Sequence, residues 1–129
     1  MRYMLLLYVD ESIPEREGSD EDINAHIVLA RQAVERGAYV GCNALDVTSK
    51  ATTVRVRDGK TVVSDGPFAE TKEALGGYYI LDCRDLDEAI AYAERIPPAR
   101  VGGVEIRPVF EIPGWDEAIG LAPETQRAR

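Results

Sequence analysis

Tyr78-Tyr79-Ile80-Leu81-Asp82-Cys83, then Asp85 through Ile96, then Val104-Glu105-Ile106-Arg107-Pro108-Val109-Phe110 set out strand, helix and strand in one short stretch. The first piece is rich in aromatic and branched side chains, as strands are. Asp85 stands where a helix N-cap belongs, with Glu88 at the reciprocal position three residues on. Leu86, Ala89, Ile90 and Ala93 follow at helical spacing and predict one buried stripe. Pro97-Pro98 end the helix, because proline lacks the N–H that a helix interior needs. Val104, Ile106, Pro108, Phe110 and Ile112 then alternate with Glu105, Arg107 and Glu111, which predicts a strand with one wet face.

The first part of the chain repeats this order. Residues 2–9 are apolar on both faces, as expected of a strand in mid-sheet. Pro14 and Gly18 mark a loop, and Ser19 with Asp22 resembles a capping box. Ile23, Ile27, Ala30 and Val34 predict a helix over 20–36, closed by Arg36 and Gly37. Residues 38–46 read as its second strand. Between the halves, Thr52-Thr53-Val54-Arg55-Val56-Arg57 alternates, Asp58-Gly59 signals a two-residue hairpin turn, and Thr61-Val62-Val63 returns. Two βαβ-like halves around an inserted hairpin predict an α+β, ferredoxin-like sheet with both helices on one face. The other face then needs cover, and a second copy of the chain supplies it.

At Asp65-Gly66-Pro67-Phe68-Ala69-Glu70-Thr71-Lys72-Glu73 the sequence resembles the DGPF-domain proteins, a branch of the YCII-related family. Tyr3-Met4-Leu5-Leu6, Thr52-Thr53-Val54-Arg55 and Gly76-Gly77-Tyr78-Tyr79 are similar to that family too. The resemblance covers residues 1–112 and leaves 113–129 as a C-terminal tail carrying Trp115, Ile119 and Leu121. It implies a homodimeric α+β barrel. It also implies a His and Asp pair, which one branch uses in removing chloride from a chlorinated hydroquinone. Many DGPF proteins resemble accessory products encoded beside sigma factors, which implies a regulatory link. His26 matches the family's helix-one His in placement, and Asp46 is the nearest match for the Asp, without its flanking Gly-Pro.

Composition narrows the function classes. With 129 residues the chain makes one domain, and its hydrophobic share of 45% is enough for a core. A net charge of −8 with scattered Lys and Arg argues against nucleic acid and anionic membranes. Cys42 and Cys83 sit in apolar runs and predict free thiols in a reducing, cytoplasmic setting. The apolar start at residues 3–9 is too short to span a membrane. One His and two separated Cys give no zinc spacing, and no phosphate loop or dinucleotide fingerprint follows a strand, so neither metal nor cofactor is expected.

Two readings of the site remain open. His26, beside Ile23 and Ile27, faces the sheet and can serve as a general base oriented by Asp46, as in elimination or related proton-transfer chemistry. It can equally be a half-buried histidine bonded to backbone in a noncatalytic ligand-binding or accessory domain. The loop bearing Asp65, Phe68, Thr71 and Lys72 can bind a small polar ligand, with Phe68 pinning it to the core. It can equally be a rigid turn shaped by Gly66-Pro67. The sequence predicts that Thr71 or Lys72 faces the same cavity as His26, from the same subunit or across the dimer.

Overall fold

The computed structural model describes residues 1–13 and 20–122. Its elements are β1 (Arg2–Val9), α1 (Asp20–Glu35), β2 (Tyr39–Ala44), β3 (Thr52–Arg57), β4 (Lys60–Asp65), β5 (Ala74–Asp82), α2 (Leu86–Ala93), α3 (Pro98–Val101), β6 (Gly103–Pro108) and α4 (Trp115–Ala118). The loop expected at Pro14 and Gly18 and the cap expected at Ser19 lie outside the described residues.

Four strands form an antiparallel sheet in the order β2-β5-β1-β6, the ferredoxin-like arrangement read from the sequence. β1 lies at its centre, and its side chains alternate. Tyr3, Leu5, Leu7 and Val9 are buried, whereas Met4, Leu6 and Tyr8 on the opposite face are half-buried. Tyr3, Leu5 and Leu7 pack with Tyr79 and Leu81 of β5, Leu29 and Ala33 of α1, and Ala89, Tyr92 and Ile96 at α2. Both helices therefore lie on one face of the sheet.

Local chemistry sets the element ends. Asp85 accepts a hydrogen bond from the Glu88 N–H at 2.9 Å, the expected N-cap of α2. The Glu88 carboxylate turns outward to Arg84 instead of completing a capping box. Gly37, at φ 72°, closes α1 in the left-handed conformation. Ala38 N–H then reaches back to the Ala33 carbonyl at 2.8 Å. The hairpin turn uses positive φ at both Asp58 and Gly59, the type I′ pattern. β3 and β4 pair with each other alone, as a separate two-stranded ribbon.

Both helix stripes are rotated from the expected phase. On α1, Leu29 and Ala33 are buried and His26 is half-buried, while Ile23, Ile27 and Val34 are exposed. His26 thus continues the packed face, three residues before Leu29. On α2, Ala89, Tyr92 and Ala93 are buried, while Leu86 and Ile90 are exposed. Ala89 and Ala93 are buried as expected, but the packed faces centre on Leu29 and Ala33 of α1 and on Tyr92 of α2, and the exposed branched residues Ile23, Ile27, Val34, Leu86 and Ile90 lie outside them. Leu29→Ala should therefore cost about 2–5 kcal/mol in urea unfolding, and Ile27→Ala about 1 kcal/mol or less. The opposite order would restore the phase read from the sequence.

Candidate functional site

The site begins with two glycines in β5. A Cβ on Gly77 would lie 3.0 Å from the Asn43 carbonyl oxygen, and one on Gly76 would lie 3.0 Å from Val9 Cγ2. A side chain at either position would press on its neighbour, and with glycine there a hollow remains between the sheet and the first turns of α1. Alternation along β5 then points Tyr79 to the helix side and Tyr78 to the open side. Tyr78 Oη accepts a hydrogen bond from Asn43 Nδ2 at 2.8 Å. The hollow has a volume of about 390 Å³ and is lined by Leu7, Val9, Ile23 and Pro98 together with His26, Cys42 and Tyr79. A second hollow of about 360 Å³ shares His26 and runs between α1 and α3.

His26 and Tyr79 form a pair on its wall. Nδ1 of the imidazole lies 2.6 Å from the Tyr79 hydroxyl. The two rings stack at 12°, with centroids 5.9 Å apart. Burial pushes the His26 pKa down from its ordinary value, against the smaller opposing effect of Asp22 one turn earlier. Burial likewise pushes the Tyr79 phenol well above its ordinary range, so it keeps its proton at neutral pH. A neutral imidazole with Nδ1 engaged has Nε2 left for a ligand, as donor or acceptor according to which partner donates in the pair.

Cys42 lies directly across from Tyr79 in the β2–β5 register and lines the same hollow. Its sulfur is 3.4 Å from the Tyr39 hydroxyl. That contact, more than burial, raises the Tyr39 pKa. Cys42 is half-buried and Cys83 buried, and both are free thiols. Burial lifts the Cys83 thiol to about 11, which keeps it protonated and inert.

The structure places the other expected site residues elsewhere. Asp46 does not orient His26. Its carboxylate accepts from the Val47 N–H at 2.8 Å and pairs with Lys50 Nζ at 3.1 Å, facing solvent. Those same bonds hold its pKa below the usual carboxylate value. β2 ends at Ala44, so Asp46 has left the sheet and lies in the turn. Thr71 and Lys72 do not share the His26 hollow within one chain. With Asp65, Asp10, Glu11 and Thr48 they line a separate, more open hollow of about 740 Å³. Thr71 Oγ1 donates to the Glu73 carbonyl, and Glu11 accepts from the Thr48 N–H at 3.0 Å. Phe68 does not pin the loop to the core. It is 75% exposed, with the Arg55 guanidinium 4.8 Å above its ring.

Tyr79 and Cys42 were not singled out from the sequence as site residues: Tyr79 read as part of a strand and Cys42 as a free thiol. The available signal was Gly76-Gly77 before the tyrosines, which marks a strand segment without side chains. Among the described residues, no three His, Cys, Asp or Glu side chains gather as a metal site. No helix among them is long and apolar enough to cross a membrane.

A four-stranded antiparallel sheet with helices on one face and a hollow beneath the first helix defines a ferredoxin-like α+β domain. The chain belongs to the YCII-related domain family, whose model matches residues 1–113. An uncharacterised protein of Rhizobium meliloti (strain 1021) is 40% identical over 114 residues, covering 84% of this chain and 92% of that protein. Among solved structures, a 5-chloro-2-hydroxyhydroquinone dehydrochlorinase from Burkholderia phenoliruptrix, in complex with 2,5-dihydroxybenzoquinone, is 11% identical. It is similar over 85% of this chain and 94% of its own, with a TM-score of 0.49.

The lowered His26 pKa has a direct consequence for stability. The unfolded chain takes up the imidazole proton near pH 6.5, before the folded chain does. The stability from burying neutral His26 is present above that pH and lost as pH falls below it. Urea unfolding from about pH 7 to pH 5 should show that loss in the wild type and a flatter profile in His26→Gln. Coincident profiles would contradict the burial of a neutral ring.

Proposed function

We propose that the protein is a small-molecule-binding domain whose ligand occupies the hollow between α1 and the sheet and meets the His26–Tyr79 pair. The 2.6 Å contact of His26 Nδ1 with Tyr79 Oη, on the wall of a hollow of about 390 Å³, carries this reading. The volume falls within the range of small-molecule pockets, and the mix of apolar lining with a few polar groups is typical of them. A thermal-shift screen should yield a compound that raises the wild-type melting temperature with concentration. The rise should be lost in Leu45→Trp, which enlarges a side chain that also lines the hollow, and reduced in His26→Gln. An equal rise in all three proteins would put binding elsewhere.

A second reading, proton-transfer catalysis, is favoured by the protonation states. A neutral imidazole beside a phenol that retains its proton can take a proton from a bound acid and return it. The acid/base pair is then His26 with Tyr79 in place of His26 with Asp46. Wild-type protein should speed solvent deuterium exchange into a ligand found in the screen, and His26→Gln should not. Exchange as fast in the variant would take the proton transfer away from His26, and no acceleration by the wild type would leave binding without catalysis.

A homodimer is proposed on separate grounds. Met4 and Leu6 of β1 and Tyr78 and Ile80 of β5 form a half-buried apolar band on the sheet face that bears no helix. A second copy is the partner that symmetry makes simplest. Light scattering coupled to size exclusion should give twice the chain mass at micromolar concentration, and Leu6→Glu should halve it. A wild type that elutes as a monomer removes the proposal.

A further inference from the structure

The hollow that holds the His26–Tyr79 pair differs from its neighbours in charge. No Asp, Glu, Lys or Arg stands among the described residues that line it, although those four types make up 29% of the chain. The larger hollow beside the 65–73 loop has Asp10, Asp65, Glu70 and Lys72 in its wall. The one that shares His26 and runs to α3 has Glu21, Asp22 and Arg100. Fixed charge thus belongs to the adjoining hollow and not to the one floored by Gly76 and Gly77.

Few polar side chains stand in the charge-free wall. Asn43 and Tyr78 bond to each other at 2.8 Å, on the sheet face that bears no helix. Cys42 brings a thiol, a weak donor. The pair remains, and counting hydrogens defines what it presents. A neutral imidazole and a phenol that keeps its proton carry two N–H or O–H hydrogens between them. Their 2.6 Å contact uses one. If Tyr79 donates, the spare hydrogen is on Nε2 and no ring nitrogen is left to accept. If His26 Nδ1 donates, the spare hydrogen is on Tyr79 Oη and Nε2 accepts. One donor is left over in both arrangements, an acceptor nitrogen in only one. A ligand oxygen that accepts is therefore met whichever partner donates.

Ionised ligands are met less well. A carboxylate would find one neutral donor and, across His26, the like charges of Glu21 and Asp22, of which Arg100 offsets one. An ammonium would face the spare hydrogen, and in the first arrangement no ring nitrogen could accept from it. Either ion would give up hydration without an ion partner in the wall, which disfavours binding.

We propose that the ligand of this hollow is an uncharged, largely apolar carbonyl compound, such as a ketone, ester or lactone, whose oxygen accepts the spare hydrogen of the His26–Tyr79 pair. This rests on the hollow being the ligand site, as proposed above, and the two can fail separately.

Four probes of similar size vary only the substituent on one ring: acetophenone, ethylbenzene, benzoate and benzylamine. In the full chain near neutral pH, the ¹⁵N signals of the single imidazole report contact at His26. Acetophenone at millimolar concentration should shift those signals saturably, and at several-fold lower concentration than ethylbenzene. Benzoate and benzylamine, both ionised, should leave them in place. Leu45→Trp should abolish the acetophenone shift. Benzoate or benzylamine acting as strongly as acetophenone overturns the uncharged class and leaves the hollow standing as a site. Ethylbenzene as effective as acetophenone overturns the role of the spare hydrogen. Silence from all four probes, or an acetophenone shift that persists in Leu45→Trp, removes the hollow and this inference together.

Discussion

Tyr3, Leu5 and Leu7 of β1 stand beside Leu81, Tyr79 and Gly77 of β5 on the one sheet face that the helices cover. The four-stranded sheet and the helices packed on it are placed by that pairing. Because side chains alternate along a strand, a slip of β5 by one residue would turn Tyr79 and Leu81 away from the helices. The core would be lost, and Tyr79 would face the open side with no histidine near it. The interior of the fold and the geometry of the site thus share one register.

The same register explains why the site is chemically unusual for so acidic a chain. His26 lies on the packed face of α1, so it loses water, and burial outweighs the nearby Asp22 charge. A hydroxyl partner lets the imidazole stay neutral without an orphaned ring nitrogen, which an unpaired buried histidine would leave. A carboxylate in the place of Tyr79 would draw the pKa up and hold a charged pair under the helix, at a desolvation cost. Glycines at 76 and 77 keep the adjoining floor free of side chains. On the proposed reading, these features suit a ligand that is largely apolar and offers one polar atom to the pair.

Much of the fold was legible in residues 1–112. The strand with alternating charge at 104–107, the Asp58-Gly59 turn, the Asp85 cap and the Pro97-Pro98 stop each carry a local steric or hydrogen-bonding cause. Local causes can be read from a sequence. Helix phase was less legible, because Ile27 and Ile90 are as hydrophobic as Leu29 and Ile96, and only packing against the sheet decides which are buried. His26 was legible as the one histidine on a helix face. Its partner was not, since Tyr79 is 53 residues away and the contact depends on strand order and register. Asp46 drew attention as the carboxylate just after β2, yet a turn bonded to Val47 and Lys50 carries it out to solvent.

With one histidine in the sequence, the imidazole gives a single set of nitrogen signals. A ¹⁵N-detected pH titration of His26, repeated in Tyr79→Phe, reads its tautomer and pKa directly. The expected result is a neutral ring at pH 7, a pKa below about 6.5, and a tautomer or pKa that changes when the Tyr79 hydroxyl is removed. A pKa at or above about 6.5 that is indifferent to Tyr79→Phe would contradict the buried pair on which the proposed site depends.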